Sequence, residues 1–246
     1  MSGLTSGKTL KGSGENPVRM GEQRAVVLLS GGLDSATTLA IAKRTGAQLY
    51  ALTFDYGQRH VREVESARKL AKHYKCKEHQ VLKLDLAPLG GSALIDSKSE
   101  IPLDRSVEQI AEGIPPTYVP ARNTILLSFA MAYAEGVKAN RVYIGANAID
   151  YSGYPDCRPE YYRAFQKVAQ LATKRAVEGS PVIIEHPLLW MSKSEIVREA
   201  VALGVPMELT WSCYLGGETS CGRCDSCQIR QKGFQEAEVS DPLPYA

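Results

Sequence analysis

Residues 30–35 read Ser30-Gly31-Gly32-Leu33-Asp34-Ser35 and lie between a short apolar run and a segment with helical spacing. Adjacent glycines let the backbone turn tightly and aim several N–H groups at one anion, and the positive end of a helix dipole adds favourable potential at the same point. Ser30 and Ser35 add hydroxyl donors. Asp34 repels a phosphate but suits a magnesium ion that bridges phosphates. The pattern predicts the handling of a polyphosphate; the plain alternative is a strand-to-helix turn capped by Ser35 or Asp34. A second candidate is Lys193, heading Lys193-Ser194-Glu195-Ile196 after Pro187-Leu188. A lysine in a helix's first turn opposes the dipole unless an anion is near, so it reads either as a solvent-facing side chain or as a phosphate contact. Gly7-Lys8-Thr9 is not a Walker A loop, since Ser2 stands where that motif needs glycine and no strand precedes it.

Cys213, Cys221, Cys224 and Cys227 are spaced C-x7-C-x2-C-x2-C, with Gly216, Gly217 and Gly222 available for turns. Two-residue spacers let successive thiolates converge on one ion, and four thiolates fill a tetrahedral zinc shell with no open position, as in a structural site. The alternative is an iron–sulfur cluster. Here the fourth cysteine lies upstream and no Cys-Pro follows, so zinc is favoured. Cys76, His73, His79 and His186 read as inert.

The elements that must position these groups follow from hydrophobic periodicity. Residues 25–29 suit a strand covered on both faces, and a helix over 35–44 with a strand over 48–54 completes a βαβ unit. A helix around 61–71, strand 80–84, helix 121–135, strand 141–144, helix 159–177, strand 182–185 and helix 192–203 continue the series. The alternation predicts an α/β fold with a doubly wound parallel sheet. Residues 87–119, with four prolines, break it and read as a lid or irregular insertion. Residues 211–228 are too poor in apolar side chains to fold without a bound metal. The expected organisation is a flexible leader over 1–24, an α/β domain over 25–210, a zinc knuckle and helix over 211–232, and a tail over 233–246.

With 246 residues, 44% of them hydrophobic and 23% charged, the chain buries a core without disulfide staples. No run nears the ~20 apolar residues of a spanning helix and no secretory signal is present, so a cytoplasmic protein with no membrane partner is expected. The 29 basic and 27 acidic residues are interspersed, which implies a small-molecule substrate rather than nucleic acid.

The glycine loop resembles the SGGxDS signature of the PP-loop ATP pyrophosphatases, and the Lys193 segment resembles their later element, in which a lysine approaches the phosphates. Phe54-Asp55-Tyr56-Gly57-Gln58-Arg59-His60, Val119-Pro120-Ala121-Arg122-Asn123, Asp150-Tyr151-Ser152-Gly153-Tyr154-Pro155-Asp156-Cys157-Arg158 and the cysteine cluster together resemble the 7-cyano-7-deazaguanine synthase (QueC) family of the queuosine pathway, over about residues 24–232. The resemblance implies an adenine nucleotide alpha hydrolase-like, Rossmann-like fold and a two-stage reaction of 7-carboxy-7-deazaguanine, ATP and ammonia, with magnesium accompanying ATP. It implies ATP contacts from Leu29, Ser30, Gly31, Gly32, Leu33, Asp34, Ser35, Phe54, Asp55 and Lys193, and catalytic roles for Asp34, Lys193 and Arg122. Substrate contacts are expected from Tyr56, Arg122, Asn123, Asp150, Tyr151, Tyr154 and Asp156. A homodimer is also implied.

The residues themselves agree in part. Asp150 and Asp156, beside Tyr151 and Tyr154, suit the N–H edge of a guanine-like base, or else form an Asp-rich turn. Arg122 pairs with a carboxylate or phosphate, or makes a salt bridge at a helix start. Phe54 and Asp55 fall where adenine or ribose sits in a doubly wound sheet. Cys157 is either a nucleophile or a bystander. An RNA-modifying sulfurtransferase and a non-catalytic nucleotide-binding module are the rival functions.

Overall fold

Side chains alternate between two buried faces along the central strands, and this alternation builds the molecule. The computed structural model describes residues 23–246 apart from His60, Ser97 and 150–152, so residues 1–22 of the leader expected over 1–24, Asp150 and Tyr151 lie outside the described residues, while Arg24 already belongs to the first strand. In chain order the elements are β1 (Arg24–Leu28), α1 (Leu33–Arg44), β2 (Gln48–Asp55), α2 (Arg62–His73), β3 (Glu78–Lys83), α3 (Val107–Ala111), α4 (Arg122–Gly136), β4 (Arg141–Tyr143), α5 (Pro159–Ala169), α6 (Lys174–Val177), β5 (Ile183–Glu185), α7 (Lys193–Ala202) and α8 (Asp225–Ala237). Every strand pairs in parallel, in the order β3-β2-β1-β4-β5. Val26 and Leu28 of β1 join Leu52 and Phe54 of β2 on one face, under Leu127 and Met131 of α4 and Tyr162 and Phe165 of α5. Ala25 and Val27 face the other way with Leu49 and Ala51, against α1, α2, α7 and α8. The doubly wound parallel sheet expected from the sequence is therefore present, and its chain order reverses between β1 and β4, where such folds open a crevice at the strands' carboxyl ends.

Two element limits differ from expectation. The helix expected over 159–177 breaks into α5 and α6, because Thr173 leaves helical geometry (φ −123°, ψ 154°) and its side chain caps α6 by accepting from the Ala176 amide. The third strand starts earlier than 80, since Glu78 pairs with Tyr50 of β2 and the edge strand needs only one covered face.

The insertion over 87–119 is packed into the body of the protein. Leu94, Ile95 and Ile101 are buried in the core beneath β2 and α4. Leu103 bridges to Cys224, Asp104 donates its amide to the Arg223 carbonyl at 2.9 Å, and Arg105 pairs with buried Asp225. The last helix runs past residue 232 to Ala237, and the chain then folds back: Arg230 pairs with Asp241 at 2.7 Å, Tyr245 donates to Asp241 at 2.6 Å, and Ala246 donates its amide to Ser220. Arg230 and Asp241 are 3% and 10% exposed, so losing one partner strands the other charge in the interior.

Asp241→Ala is expected to lower the unfolding free energy by about 3–5 kcal/mol in urea titrations; a loss below about 1 kcal/mol would show that other contacts dock the tail. Burial raises the Asp241 carboxyl, but the Arg230 bonds and charge outweigh it and hold the group below its ordinary range. A depressed folded-state pKa gives stability that is present above the unfolded value of ~3.9 and is lost as pH falls through the folded one.

Candidate active site

β1 ends where the glycine pair begins. Gly31 adopts φ +95°, and a Cβ there would collide with the Glu63 carbonyl oxygen and stand 2.9 Å from the Ala67 nitrogen. Only glycine fits both the dihedral and the space, which presses the turn against α2. On the other side the Trp211 amide donates to the Gly31 carbonyl at 2.9 Å. The serines finish the turn: the Gly31 amide donates to Ser35 Oγ at 3.1 Å, Ser35 Oγ donates to the Gly32 carbonyl at 3.0 Å, and Ser30 Oγ lies 3.1 Å from Ser35 Oγ. Gly32 caps α1 without a side chain, so the helix presents its first amides to the cleft at the dipole's positive end.

Lys193 opens α7, and its Nζ lies 2.7 Å from each carboxylate oxygen of Asp34 in the first turn of α1. A capping box of Ser192 and Glu195 fixes the start of α7 and thereby the root of the lysine. The lysine stem crosses α8 at Gly233, where a Cβ would collide with Lys193 Cγ and stand 2.8 Å from Lys193 Cβ. Lys193 is thus a buried side chain carried to an anion, which excludes the solvent-facing alternative.

One cleft at the carboxyl ends of β1, β2 and β4 is lined by Leu29, Ser30, Gly32, Leu33, Asp34, Ser35, Phe54, Tyr56, Arg122, Asn123, Tyr154 and Lys193 of the residues named from sequence. Gly31 supports the same turn from behind. Asp55 and Asp156 do not line it. Ala121, at the head of α4 with φ +52°, has no side chain able to cap, and Asp156 supplies the cap from another segment by accepting the Asn123 amide at 2.9 Å. Asn123 in turn donates to the Asp156 carbonyl at 3.0 Å, and Arg122 projects from the helix start so fixed. The Arg122 guanidinium donates to the Tyr56 hydroxyl at 3.4 Å, and the Tyr154 hydroxyl meets Thr117 Oγ1 at 3.0 Å.

Sequence reasoning did not single out Glu63, Trp211, Ser212, Tyr214, Ser226 and Arg230, all of which line the cleft. Burial pushes the Glu63 carboxyl up to about 7, against the opposing pull of the Arg122 charge. Burial also pushes the Cys157 thiol up to about 11, so this cleft residue is a protonated thiol at neutral pH.

The ligand atoms of Cys213, Cys221, Cys224 and Cys227 lie within 4.8 Å of one another, close to the ~3.8 Å sulfur separations of a tetrahedral thiolate shell. Backbone amides already point at the sulfurs: Cys221 N to Cys213 Sγ at 3.3 Å, and Cys224 N to Cys221 Sγ at 3.3 Å. Hydrogen bonds from Cys224 and Cys227 hold the Cys213 thiol below its ordinary range, and those two are pushed up in return. Three sulfurs sharing protons in this way, with the Cys221 sulfur beside them, form a donor set that a metal ion fits. Three of them belong to the same apolar core as the sheet, so the cluster and the cleft share one scaffold. Among the described residues, no helix is long and apolar enough to cross a membrane.

Residues 24–238 match the family described as Queuosine biosynthesis protein QueC. The chain is 56% identical over 220 residues to the 7-cyano-7-deazaguanine synthase of Trichodesmium erythraeum (strain IMS101), covering 89% of this chain and 99% of that protein. It is 54% identical over 224 residues to the 7-cyano-7-deazaguanine synthase of Thermoplasma volcanium, covering 91% of each chain. Among solved structures it is similar to NMN synthetase from Francisella tularensis, with a TM-score of 0.47 and 18% identity over 89% of this chain and 78% of that one.

Gly233→Ala separates two effects of opposite sign. Helix propensity alone would stabilise the variant by ~1 kcal/mol, whereas the collision with Lys193 is expected to destabilise it by about 1–3 kcal/mol. Urea unfolding reads the sign, and a stabilised variant would refute the steric account. Cys227→Ser is expected to remove bound metal in elemental analysis and to speed hydrogen exchange in the insertion, which is bridged to the cluster through Leu103 and Cys224; unchanged exchange after metal loss would show the two to be independent.

Proposed function

The chain belongs to the QueC family of queuosine biosynthesis proteins, and on that premise we propose that it is an ATP-dependent ligase that converts 7-carboxy-7-deazaguanine and ammonia to 7-cyano-7-deazaguanine. In the first stage the substrate carboxylate attacks the α-phosphate of ATP, pyrophosphate leaves, and ammonia displaces AMP from the acyl adenylate to give an amide. In the second stage the amide oxygen takes an adenylate from a second ATP, and loss of AMP leaves the nitrile. Both stages need a gripped pyrophosphate and a held carbonyl, so one cleft serves twice.

The observation that carries this reading is that the serine-flanked turn, the Lys193–Asp34 pair and Arg122 meet in one cleft at the strand-order reversal. The turn and the first amides of α1, with Leu29, Ser30, Gly31, Gly32, Leu33 and Ser35, cradle the pyrophosphate, and Lys193 adds its charge to the same phosphates. Asp34 holds the magnesium that accompanies ATP and neutralises phosphate charge. Phe54 packs on adenine, and Asp55, at the end of β2 but outside the cleft lining, keeps the ribose only as an expectation from sequence. Arg122 pairs with the substrate carboxylate or the AMP phosphate, while Tyr56, Asn123 and Tyr154 flank the base. Asp150 and Tyr151 complete that group as expectations from sequence, and Asp156 acts through Asn123 as a positioning residue. The four cysteines hold one structural zinc ion per chain. Residues 25–210 are the catalytic unit, with 211–232 as its metal-braced appendage; the protein acts in the cytoplasm as a homodimer.

Incubation with the acid, ATP, magnesium and ammonium, followed by mass spectrometry of the base and chromatography of the nucleotides, tests the reading. The nitrile, AMP and pyrophosphate are expected. ADP with orthophosphate, or pyrophosphate release that requires tRNA, would overturn it. Asp34→Ala is expected to lower turnover by at least about 100-fold with unchanged zinc content; loss of metal together with activity would count against separate sites.

A further inference from the structure

Both proposed stages strip protons from nitrogen, and the described cleft-lining residues given roles above offer no base. Lys193 and Arg122 are cations, Asp34 is bonded through both oxygens to Lys193, Asp156 accepts the Asn123 amide, and Cys157 holds its proton. Glu63 is different. It stands in the first turn of α2, its backbone carbonyl touches the Gly31 position of the phosphate turn, and it lines the same cleft as Arg122 and Tyr56, to which its carboxylate couples electrostatically. Among the described residues no donor hydrogen-bonds its carboxylate; Arg122 from α4 and Tyr56 after β2 are the groups whose charges couple to it. A carboxylate at a helix start is usually favoured in its charged form, yet burial outweighs that here and pushes this one up to about 7, where it both accepts and returns a proton near neutrality.

We propose that the Glu63 carboxylate takes the protons lost by the substrate nitrogen, making it the catalytic base of both amide formation and dehydration. The inference rests on the two-stage reaction proposed above. In the first stage the ammonia lone pair forms the C–N bond, the C–O bond to phosphate breaks with its electron pair leaving on AMP, and one N–H proton passes to Glu63. In the second, the adenylated amide nitrogen gives up one proton to become an imidate. It then gives up the other as its N–H pair becomes the third C–N bond and the C–O bond breaks to release AMP. Glu63 returns each proton to water through the open side of the cleft. Adenylation itself moves no proton from nitrogen and needs no such base.

That separation gives the test. In Glu63→Gln, exchange of labelled pyrophosphate into ATP in the presence of the acid, measured without ammonia, is expected to stay within about threefold of the wild type. Nitrile formation from ammonium is expected to fall by at least about 100-fold, while Glu63→Asp keeps the carboxylate and recovers part of it. Expressed per free ammonia, the wild-type rate should rise with pH through about 7, since the base works only when deprotonated, and the Gln variant should lose this inflection. Nitrile formation at the wild-type rate in Glu63→Gln, or equal loss of exchange and nitrile, would overturn the assignment. A wild-type protein without acid-dependent exchange would instead overturn the adenylation reading beneath it.

Discussion

The buried contact between Lys193 and Asp34 brings the starts of two helices, α1 and α7, to one point. In a wound parallel sheet each strand's carboxyl end feeds a helix's amino end, so positive dipole ends gather on one side of the sheet. Here α1 contributes Asp34, α2 Glu63, α4 Arg122 and Asn123, α7 Lys193 and α8 Ser226, each from the first turn of its helix, to a single cleft. Dipoles, lysine and arginine add potentials of one sign, and Asp34 offsets part of it. A pair that is 8% and 18% exposed gives up much of its hydration, and its Coulomb attraction roughly offsets that cost. The contact therefore organises the cleft more than it stabilises the fold, and leaves a field suited to a polyanion.

That geometry constrains elements far from the chemistry. Lys193 reaches Asp34 only by crossing α8 at a residue without a Cβ, so the packing of α7 on α8 follows from the lysine's path. α8 begins beside Cys224, carries Cys227, and holds Arg230 against Thr210 and Ser212, and the residue between those two, Trp211, bonds the glycine turn. The cysteine cluster is thus mechanically joined to the turn through one helix and one short strand of chain, and to the insertion through the bridge at Leu103.

Much of this was legible in the sequence, where local rules decide it. The apolar run before Ser30, the glycine pair and the cysteine spacing each depend on residues close in the chain. What escaped depends on distant partners. Asp156 looks like one more acid in an Asp-rich turn, and its capping of α4 follows from Ala121 being unable to cap itself. Thr173 breaks a helix whose apolar spacing continues, because its side chain offers the backbone another partner. Glu63 did leave a trace: it lies one turn ahead of Ala67, which is fully buried, so a carboxylate stands on the stripe that packs inward. A charged residue on an apolar stripe is a signal that periodicity alone discards.

The return of the chain onto Ser220 has a practical side. Tyr245 bridges to Ser220, the neighbour of Cys221 in the cysteine cluster, and Ala246 donates to the Ser220 carbonyl at 2.9 Å. A purification tag fused after Ala246 would emerge beside the cysteine loop, and a histidine tag would bring competing ligands within reach of it.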